Sequence, residues 1–524
     1  MAHEQHDPRA ARKGGPPGGS TAKLADLVAS PFRVDRDRIA ISPYFARLGG
    51  VTQVVSASGS ALLHNRLTHS ISVAQVARAI AERLNSSPEL SPVIDKLGGC
   101  DLDVAEAAAL GHDLGHPPFG HLGERVLDRI ARNRFALVDG FEGNAQSFRI
   151  LTTIDARGPA GVGLDLTAAT RAATLKYPWT RLHYPRPHPR ELPQPPRGAA
   201  ELDDAPGSGS AKFSAYVTEL GDVLQARVPF ESTVEGWQQT VEASVMDTAD
   251  DIAYAIHDLE DFHRIGVLQH AAVATELGHW QRQALELAEL DHGTLLARGR
   301  RPGHSLELLR RRMHAKDSWI AHDDAFAMAV ASVRADLVDD LLAAPFDGSM
   351  EAEQAVATFS GRWTSRLVHG VLATEHANVR SGHVALHQQP WHEVQVLKFV
   401  HRQFVLLRPD FALHQRGQAE LLSSLVDALD SWVSDRDEAH RLPRRLHDLV
   451  ELAEREYGEL ARDDPRSLAG AGGDVPQGRD AIRALARGRA VLDFVASLTD
   501  EQAVALLDAL SGRSGQPWSD AFVL

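Results

Sequence analysis

Apolar residues recur every three to four positions along most of the chain, the spacing that places them on one face of an α-helix. The clearest case begins at Leu67, in LTHSISVAQVARAIAERL, where Ile71, Val76, Ile80 and Leu84 are predicted to share one stripe. Further helices are predicted over residues 101–114, 122–134, 234–262, 325–342, 355–373, 393–407, 420–434, 442–460 and 480–496. The pattern therefore predicts a mainly α-helical protein without a repeat of fixed period.

Few segments have the alternation of a β-strand. The segments TQVV, SASGSA and LL, between residues 52 and 63, predict one short β-hairpin with Gly59 at its turn. Eight prolines lie between residues 177 and 206 and are followed by GSGS, a composition that no helix or central strand accommodates. Residues 177–210 are therefore expected to form a long exposed loop or a linker. The Gly- and Pro-rich start predicts a disordered tail over residues 1–30.

Composition narrows the class of protein. The chain has 524 residues, with 55 Lys and Arg against 70 Asp and Glu, a formal charge of −15. This balance disfavours a protein that coats nucleic acid, although a local basic groove stays open. The single cysteine, Cys100, excludes an internal disulfide and a cysteine-rich metal site. No run approaches about 18 apolar residues, and the first 20 residues lack the apolar core of a secretory signal. We therefore expect a cytoplasmic protein without a membrane segment.

Histidines are common in this chain, 26 in all, so only clusters of them are informative. The densest cluster is GHDLGHPPFGHLGE, which contains His112, Asp113, His116, His121 and Glu124. The first and second histidines are four residues apart and share a helix face. The two prolines end that helix, and the glycine after them permits a turn that returns the later residues toward the same place. The segment is therefore a candidate reaction centre.

A neighbouring imidazole and carboxylate cannot enclose a cation alone, because an ion needs about four to six ligands from several directions. His69, at the start of an amphipathic helix, is one further candidate. Asp250, in MDTADDIAYAIHDLED, is another, and Tyr254 and Asp258 follow it at intervals of four residues on the same helical stripe. Two histidines and two aspartates suit Mn, Fe, Ni, Mg or Zn in an open site better than a closed structural zinc site.

Six ordered motifs resemble those of the HD-domain phosphohydrolases, and specifically the bacterial dGTPase-like branch of the deoxynucleoside triphosphate triphosphohydrolases. They are RIAISPYFARLGGVTQVV, HNRLTHSISVAQVAR, HDLGHPPFGHLGE, FEGNAQSFRIL, LKYPW and ADDIAYAIHDLED. Together they cover residues 38–261, about half the chain. Beyond residue 262 there is helical character, with a weak similarity in VLKFVHRQFV.

The resemblance implies an all-α HD-domain fold, with a catalytic region over residues 31–270 and a helical C-terminal region over 271–524 that supplies subunit contacts. It implies hydrolysis of a deoxynucleoside triphosphate to a deoxynucleoside and inorganic tripolyphosphate. The implied cofactor is a divalent metal, Mg²⁺ or Mn²⁺ first, with Fe, Ni or Zn also open. The implied partners are the deoxynucleoside triphosphates, other subunits of a homo-oligomer such as a hexamer, and a nucleotide or single-stranded DNA effector.

Residue by residue, the resemblance assigns three groups of side chains. The implied metal ligands are His69, His112, Asp113 and Asp250. The implied catalytic residues are His116 and His121, which would face the α-phosphate, and Glu124, which would orient His121. The implied substrate contacts are Arg66 and Lys176 to phosphate, Tyr254 and Asp258 to the sugar 3′-hydroxyl, and Gln53 near the sugar or base. Asp251 departs from the vertebrate branch, which has a lysine there, so other cations must hold the triphosphate.

The chemistry of these residue types agrees with the resemblance. A bound metal makes water a usable nucleophile near neutral pH, and the O5′ leaving group needs a proton. His121, with Glu124 three residues later, has the composition of an oriented proton donor.

Alternatives remain open at this point. The chain could be an HD phosphohydrolase of another nucleotide, or a regulatory protein that binds a nucleotide without turnover. Residues 142–146 either line the site or cap a helix, and His257 is expected to be a partly buried helix residue and not a ligand.

Overall fold

The structure is a computed structural model that describes residues 7–15, 30–53, 63–157, 162–186, 194–202, 207–297, 301–469 and 473–515. Within these ranges the protein is mainly helical, as predicted. No helix in the described ranges combines the length and the apolar character that crossing a membrane requires.

The helices are numbered in chain order. The first ten are α1 (Pro31–Ala40), α2 (Pro43–Arg47), α3 (Arg66–Ser86), α4 (Ser91–Lys96), α5 (Leu102–Gly111), α6 (Gly120–Asn133), α7 (Gly143–Arg149), α8 (Ala168–Ala173), α9 (Leu220–Arg227) and α10 (Val241–Arg264). They are followed by α11 (His270–Glu289), α12 (His292–Ala297), α13 (His304–Lys316), α14 (Asp323–Val333), α15 (Met350–His369), α16 (Gln388–His401), α17 (Pro409–Ser434), α18 (Arg444–Asp463), α19 (Arg479–Ala496) and α20 (Asp500–Leu510).

Three helices, α3, α5 and α10, pack against one another at the centre. Each begins at a side chain that caps its free backbone N–H groups: Asn65 for α3, Asp101 for α5 and Thr240 for α10. The predicted stripe on α3 is wrong at Ile71, which is 41% exposed. Ile71 lies five residues before Val76, which turns it away from the buried face.

The C-terminal helices belong to the same hydrophobic core as the N-terminal ones. One continuous cluster of buried side chains runs from Phe32 on α1 to Leu507 on α20. Helices α18 and α19 pack as a pair, and α17 packs against α6, α19 and α20. The region after residue 270 is therefore helical, as predicted, and packs against the helices that precede it.

The small sheet lies at an unpredicted place. Strands β1 (Val371–Ala373) and β2 (Val384–Leu386) pair antiparallel, with Val371 opposite Leu386. The helix predicted over 355–373 is therefore wrong in its last residues, since α15 ends at His369 and Gly370 caps it. Most of the hairpin predicted over 52–63, including Gly59, lies outside the described residues.

Two other helices begin or end at residues that differ from the predicted ones. The helix predicted to begin at residue 234 begins at Val241, because the Thr240 side chain caps it there. The helix predicted over 325–342 ends at Val333 and continues as a π-helical turn to Val338.

Two segments expected to be unstructured or exposed are packed where the structure describes them. In the predicted tail, Arg12 pairs with buried Asp35 at 2.7 Å and Lys13 pairs with Asp222 at 2.8 Å. In the Pro-rich loop, Trp179 is 5% exposed and belongs to a small aromatic cluster. The described part of this loop is irregular, as predicted, but several of its side chains pack inward and are not exposed.

Candidate active site

Three core helices bring together side chains that are far apart in the sequence. His69 is on α3, His112 caps the end of α5, and Asp250 is on α10. The Nε2 atoms of His69 and His112 lie 3.2 Å and 3.7 Å from Oδ1 of Asp250. One ligand atom from each residue lies within 4.8 Å of the others. We call these three residues the cation cluster.

The hydrogen bonding of His112 fits a role as a metal ligand. Its Nδ1 donates to the backbone oxygen of Ala109 at 2.6 Å, so in the neutral ring the lone pair of Nε2 is available to a metal. That Nε2 is buried and makes no hydrogen bond. Burial lowers the pKa of His112, but Asp113 and Asp250 outweigh it and raise the pKa to about 9. A divalent cation at these atoms would replace the proton and satisfy the same carboxylates.

Asp113 joins the cation cluster to a second group of side chains. Its Oδ1 lies 3.4 Å from Nε2 of His112 and 3.0 Å from Nδ1 of His116. Its Oδ2 accepts a hydrogen bond from Arg66 at 2.6 Å. Burial opposes ionisation, but His116, Arg66 and His112 together hold the pKa of Asp113 well below its usual value. Asp113 is therefore a bridging carboxylate, with one oxygen shared between the two groups.

The second group consists of His116, His121 and Glu124, whose polar atoms also lie within 4.8 Å of one another. We call it the acid cluster. Nδ1 of His121 donates to Oε2 of Glu124 at 3.0 Å, which fixes the ring and directs Nε2 away from the carboxylate. The His121 side chain is 55% exposed, whereas those of His116 and Glu124 are buried. Burial and the charge of Arg66 lower the pKa of His116 to about 4, so this ring is neutral near pH 7.

Lys212 completes the acid cluster and was missed by the sequence analysis. Its Nζ lies 2.8 Å from both Oε1 of Glu124 and Oε1 of Glu142. Burial raises the pKa of Glu124, but Lys212 and His121 outweigh it and hold that pKa well below its usual value. Lys212 follows the Pro-rich loop in a segment without metal-type or catalytic spacing, so the sequence contains no signal for it.

Glu142, in the segment 142–146, both caps a helix and contacts the acid cluster. Glu142 caps α7, accepting hydrogen bonds from the N–H groups of Asn144 and Ala145 at 2.6 Å and 3.2 Å. The same carboxylate faces Lys212 in the site. Ser147, one residue further on, donates to the His112 carbonyl at 2.8 Å and accepts from the Gly115 N–H at 2.8 Å.

Close packing explains two glycines of these motifs. A Cβ on Gly115 would lie 2.2 Å from the backbone nitrogen of Ser147. A Cβ on Gly143 would lie 3.2 Å from the His116 ring. These glycines let α7 lie directly against the histidine motif.

The turn before α6 depends on the C-terminal end of the described chain. Phe119 has a left-handed backbone with φ of 63°, and its N–H donates to Oδ1 of Asp500 at 2.8 Å. Asp500 also accepts from the Thr52 N–H at 3.1 Å. Arg47 connects the Leu498 carbonyl at 2.8 Å to the His116 carbonyl at 2.9 Å. Helix α20 therefore holds the turn that carries His121.

Lys176, which the resemblance implies as a phosphate contact, lies against the cation cluster. Its Nζ lies 2.8 Å from Oδ2 of Asp250 and 2.7 Å from Oδ1 of Asp247. Arg66 is almost fully buried, and its Nε and Nη2 make no hydrogen bond. Both cations thus lie next to the carboxylates of the site.

The predicted sugar contacts lie further along α10. Asp258 is buried, and its Oδ2 pairs with Nδ1 of His401 at 2.9 Å. The His401 ring also packs at 5.4 Å against Tyr254. His401 belongs to the segment VLKFVHRQFV, so its weak similarity was the available signal. Gln53 is buried, with no hydrogen bond to its Oε1.

His257 lies outside the cation cluster. It stacks on His64 with ring centroids 4.5 Å apart and approaches His69 only edge to face, at 6.3 Å. Burial, with the charges of His64 and His69, holds the pKa of His257 well below its usual value. It is a neutral, packed ring.

Comparison with known proteins gives consistent similarities. Residues 66–150 match the family model of the HD domain. A deoxyguanosinetriphosphate triphosphohydrolase-like protein of Streptomyces coelicolor is 32% identical over 490 residues, covering 92% of this chain and 93% of that protein. A protein of the same description from Corynebacterium diphtheriae is 30% identical over 410 residues, covering 76% of this chain and 80% of its own. One from Mesorhizobium japonicum is 40% identical over 251 residues, covering 46% and 47%.

Proposed function

Because the chain belongs to the family of deoxyguanosinetriphosphate triphosphohydrolase-like HD-domain proteins, we propose that it hydrolyses deoxynucleoside triphosphates at the α-phosphorus, with dGTP as the first substrate to test. The products are a deoxynucleoside and inorganic tripolyphosphate. The observation that supports this proposal is the adjacency of the cation cluster and the acid cluster, with Asp113 in contact with both.

A divalent cation, Mg²⁺ or Mn²⁺ first, would be held by His69, His112, Asp250 and the shared oxygen of Asp113. When bound, it supplies a Lewis acid for a phosphoryl oxygen and lowers the pKa of a water nucleophile. The buried, unpartnered Nε2 of His112 supports this assignment.

The acid cluster supplies the proton that the leaving group needs. Hydrolysis forms a bond between water oxygen and the α-phosphorus and breaks the bond to O5′, which leaves as an alkoxide unless it is protonated. His121 donates this proton from Nε2, because Glu124 holds its Nδ1 and stabilises the charged ring. His116, neutral and buried, orients the phosphate beside Asp113.

The remaining residues bind the two ends of the substrate. Arg66 donates its unpartnered N–H groups to phosphate oxygens, and Lys176 neutralises phosphate charge next to Asp250. Tyr254 and Asp258 contact the sugar 3′-hydroxyl, with His401 orienting the carboxylate. Gln53 lies near the sugar or base.

Product identification tests the proposal. The purified protein is incubated with each deoxynucleoside triphosphate and Mn²⁺ or Mg²⁺, and phosphorus NMR identifies the products. Tripolyphosphate in amounts equal to the deoxynucleoside is the expected result. Pyrophosphate or single phosphate would overturn cleavage at the α-phosphorus. The same preparation of the His112→Ala variant controls for contaminating phosphatases.

The same assay separates the alternatives. Turnover of a nucleoside monophosphate or an alarmone, without turnover of deoxynucleoside triphosphates, would identify an HD phosphohydrolase of another nucleotide. Tight nucleotide binding without any turnover would identify a nucleotide-sensing protein.

A further inference from the structure

Residues 7–15 pack against the core, although only Pro8–Ala10 form a helical turn. Three basic side chains attach this segment, each to a carboxylate on a different helix. Arg9 pairs with Glu242 of α10 at 2.6 Å, Arg12 with Asp35 of α1 at 2.7 Å, and Lys13 with Asp222 of α9 at 2.8 Å. We call residues 7–15 the N-terminal strap. None of these contacts belongs to the candidate active site, so the site alone does not explain them.

Arg9 lies in a site built for a guanidinium group. Its Cζ is 5.6 Å and 5.7 Å from the ring centroids of Phe32 and Phe230, within the range of cation–π attraction. Its Nη1 donates to the Gly98 carbonyl at 3.0 Å, and its Nη2 pairs with Glu242. The side chain of Arg9 is 18% exposed and that of Glu242 only 2%. Arg9 therefore supplies the positive charge beside a buried carboxylate.

Glu242 connects the starts of two central helices. It is the second residue of α10, and its Oε1 also accepts a hydrogen bond from the Asp101 N–H at 3.2 Å. Asp101 is the residue that caps α5. Gly98, which accepts from Arg9, lies three residues before that cap. Arg9 and Glu242 together therefore hold the start of α10 against the start of α5.

The cation cluster lies further along the same two helices. Asp250 is eight residues after Glu242, about 12 Å along the axis of α10, and His112 is eleven residues after Asp101, about 16 Å along α5. The two helices pack against each other. A displacement at their starts would therefore change the distance between Nε2 of His112 and Oδ1 of Asp250, now 3.7 Å. Metal sites tolerate ligand displacements of only about 0.5 Å.

Loss of Arg9 would leave Glu242 buried without a counter-charge. Burial raises the pKa of this carboxyl, and Arg9 is the charge that opposes the rise. Removing one partner of a buried ion pair is strongly destabilising, because the other charge stays out of water. Without Arg9 the carboxylate must be protonated or hydrated, and hydration requires the two helix starts to separate.

We propose that Arg9 is a positioning residue for the cation cluster, and that the N-terminal strap must be docked for the protein to bind its cation with full affinity. The proposal rests on the proposed function only for the presence of the cation. Arg12 differs from Arg9 in what it supports. Its partner Asp35 accepts hydrogen bonds from the N–H and hydroxyl of Thr167, which caps α8, at 2.8 Å and 2.6 Å. Neither α1 nor α8 carries a proposed metal ligand.

Metal affinity tests the proposal without catalysis. Full-length, metal-free protein is titrated with Mn²⁺, and binding is followed by calorimetry and by the electron paramagnetic resonance signal of free Mn²⁺. We expect Arg9→Gln to weaken Mn²⁺ binding about tenfold, the lower end of the range for groups that support metal ligands without touching the metal. Arg9→Lys, which keeps the charge beside Glu242, should stay within about threefold of the parent protein.

Arg12→Gln is the matched control, because it removes an equally buried pair from the same strap. It should lower the urea midpoint of unfolding as Arg9→Gln does, but leave Mn²⁺ affinity within about twofold. Equal weakening of Mn²⁺ binding in both variants would overturn the positioning role, because general loss of stability would then explain it. Parent-like Mn²⁺ affinity in folded Arg9→Gln protein would also overturn it.

Hydrogen exchange tests the same coupling in the parent protein, where no variant has to fold. If docking of the strap raises cation affinity about tenfold, bound Mn²⁺ must slow amide exchange in residues 7–15 by up to the same factor. Residues 435–441, between α17 and α18, serve as the control segment. Exchange in the strap that ignores Mn²⁺ would refute the coupling.

The same data separate this proposal from the proposed function. Mn²⁺ binding that depends on Arg9, without turnover of any deoxynucleoside triphosphate, would support the positioning role and refute the proposed function. Turnover with Mn²⁺ affinity that does not depend on Arg9 would do the reverse.

Discussion

The cation cluster and the acid cluster touch through Asp113 but are supported in different ways. The cation cluster lies where three helices of the central core meet, and its two histidines are almost fully buried. The acid cluster includes the half-exposed His121, at the start of a helix whose preceding turn is held by Asp500. Cation binding should therefore depend on the core, whereas proton donation should also depend on the distant C-terminal helices.

Removing a residue of the cation cluster should have the largest effect on activity and on metal content. We expect His112→Ala to lose bound metal and activity together, because three remaining ligands hold a cation poorly and the nucleophile is no longer activated. Metal analysis and turnover of dGTP measure both losses. His257→Ala is the matched control, a half-buried histidine on α10 outside the cluster, and it should retain metal. An active, metal-containing His112→Ala protein would contradict the assignment.

Removing His121, the proposed proton donor, should lower turnover without loss of metal. We expect His121→Ala to bind metal normally but to lower kcat by about a hundredfold or more, the usual scale of general acid catalysis. The KM should change little, since other residues hold the phosphates. Steady-state kinetics with parallel metal analysis make the measurement. Unchanged kcat would remove His121 from this role, and loss of metal would show that the two clusters act as one site.

The difference in support also explains what the sequence could predict. Long amphipathic helices and the histidine motif depend on local spacing, so the fold class and the motif were predictable. The choice of His69 and Asp250 as partners of His112 came from the number of ligands that a cation needs and from the family resemblance. Lys212 and Asp500 reach the site by tertiary packing from segments that lack a chemical motif. The small sheet was missed because each strand is only three residues long and follows helical periodicity.

Removing the Asp500 contact to the turn before α6 should affect the acid cluster and leave metal binding unchanged. We expect Asp500→Ala to lower kcat by roughly tenfold with normal metal content. A misplacement of about 1 Å typically lowers the rate about a hundredfold, and the shift of His121 should be smaller than that. The substitution should also cost about 1–3 kcal/mol of unfolding free energy, since the N–H groups of Thr52 and Phe119 lose their acceptor. Asp508→Ala, on the same helix and half-exposed, is the control. If Asp500→Ala lost metal in proportion to activity, the two clusters would not be supported independently.

The smallest expected effect is on the pH dependence of stability. It concerns the charged side chains that join α7, beside the acid cluster, to the C-terminal helices. Arg149 is fully buried and pairs with Glu219, Glu456 and Asp493 at 2.5, 2.8 and 2.9 Å. Burial, with the nearby charge of Glu456, raises the pKa of Glu219 to about 7, although Arg149 opposes the rise. Burial of Glu219 and the neighbouring charge of Glu456 outweigh the attraction of Arg149, so Glu219 binds a proton more tightly in the folded state than in the unfolded state.

This group should therefore stabilise the fold at low pH and lose that contribution as pH rises toward and through 7, because the unfolded side chain has already ionised near pH 4.3. Between pH 5.5 and 8 we expect the unfolding free energy to fall by about 1–3 kcal/mol in the parent protein relative to Glu219→Gln, which has no proton to lose. Urea unfolding at a series of pH values measures the difference between the two proteins, so that other titrating groups cancel. Identical slopes would show that Glu219 stays ionised beside Arg149. If the slopes differ while metal affinity at each pH stays the same in both proteins, the C-terminal support acts on the fold around the acid cluster and leaves the cation cluster independent of it.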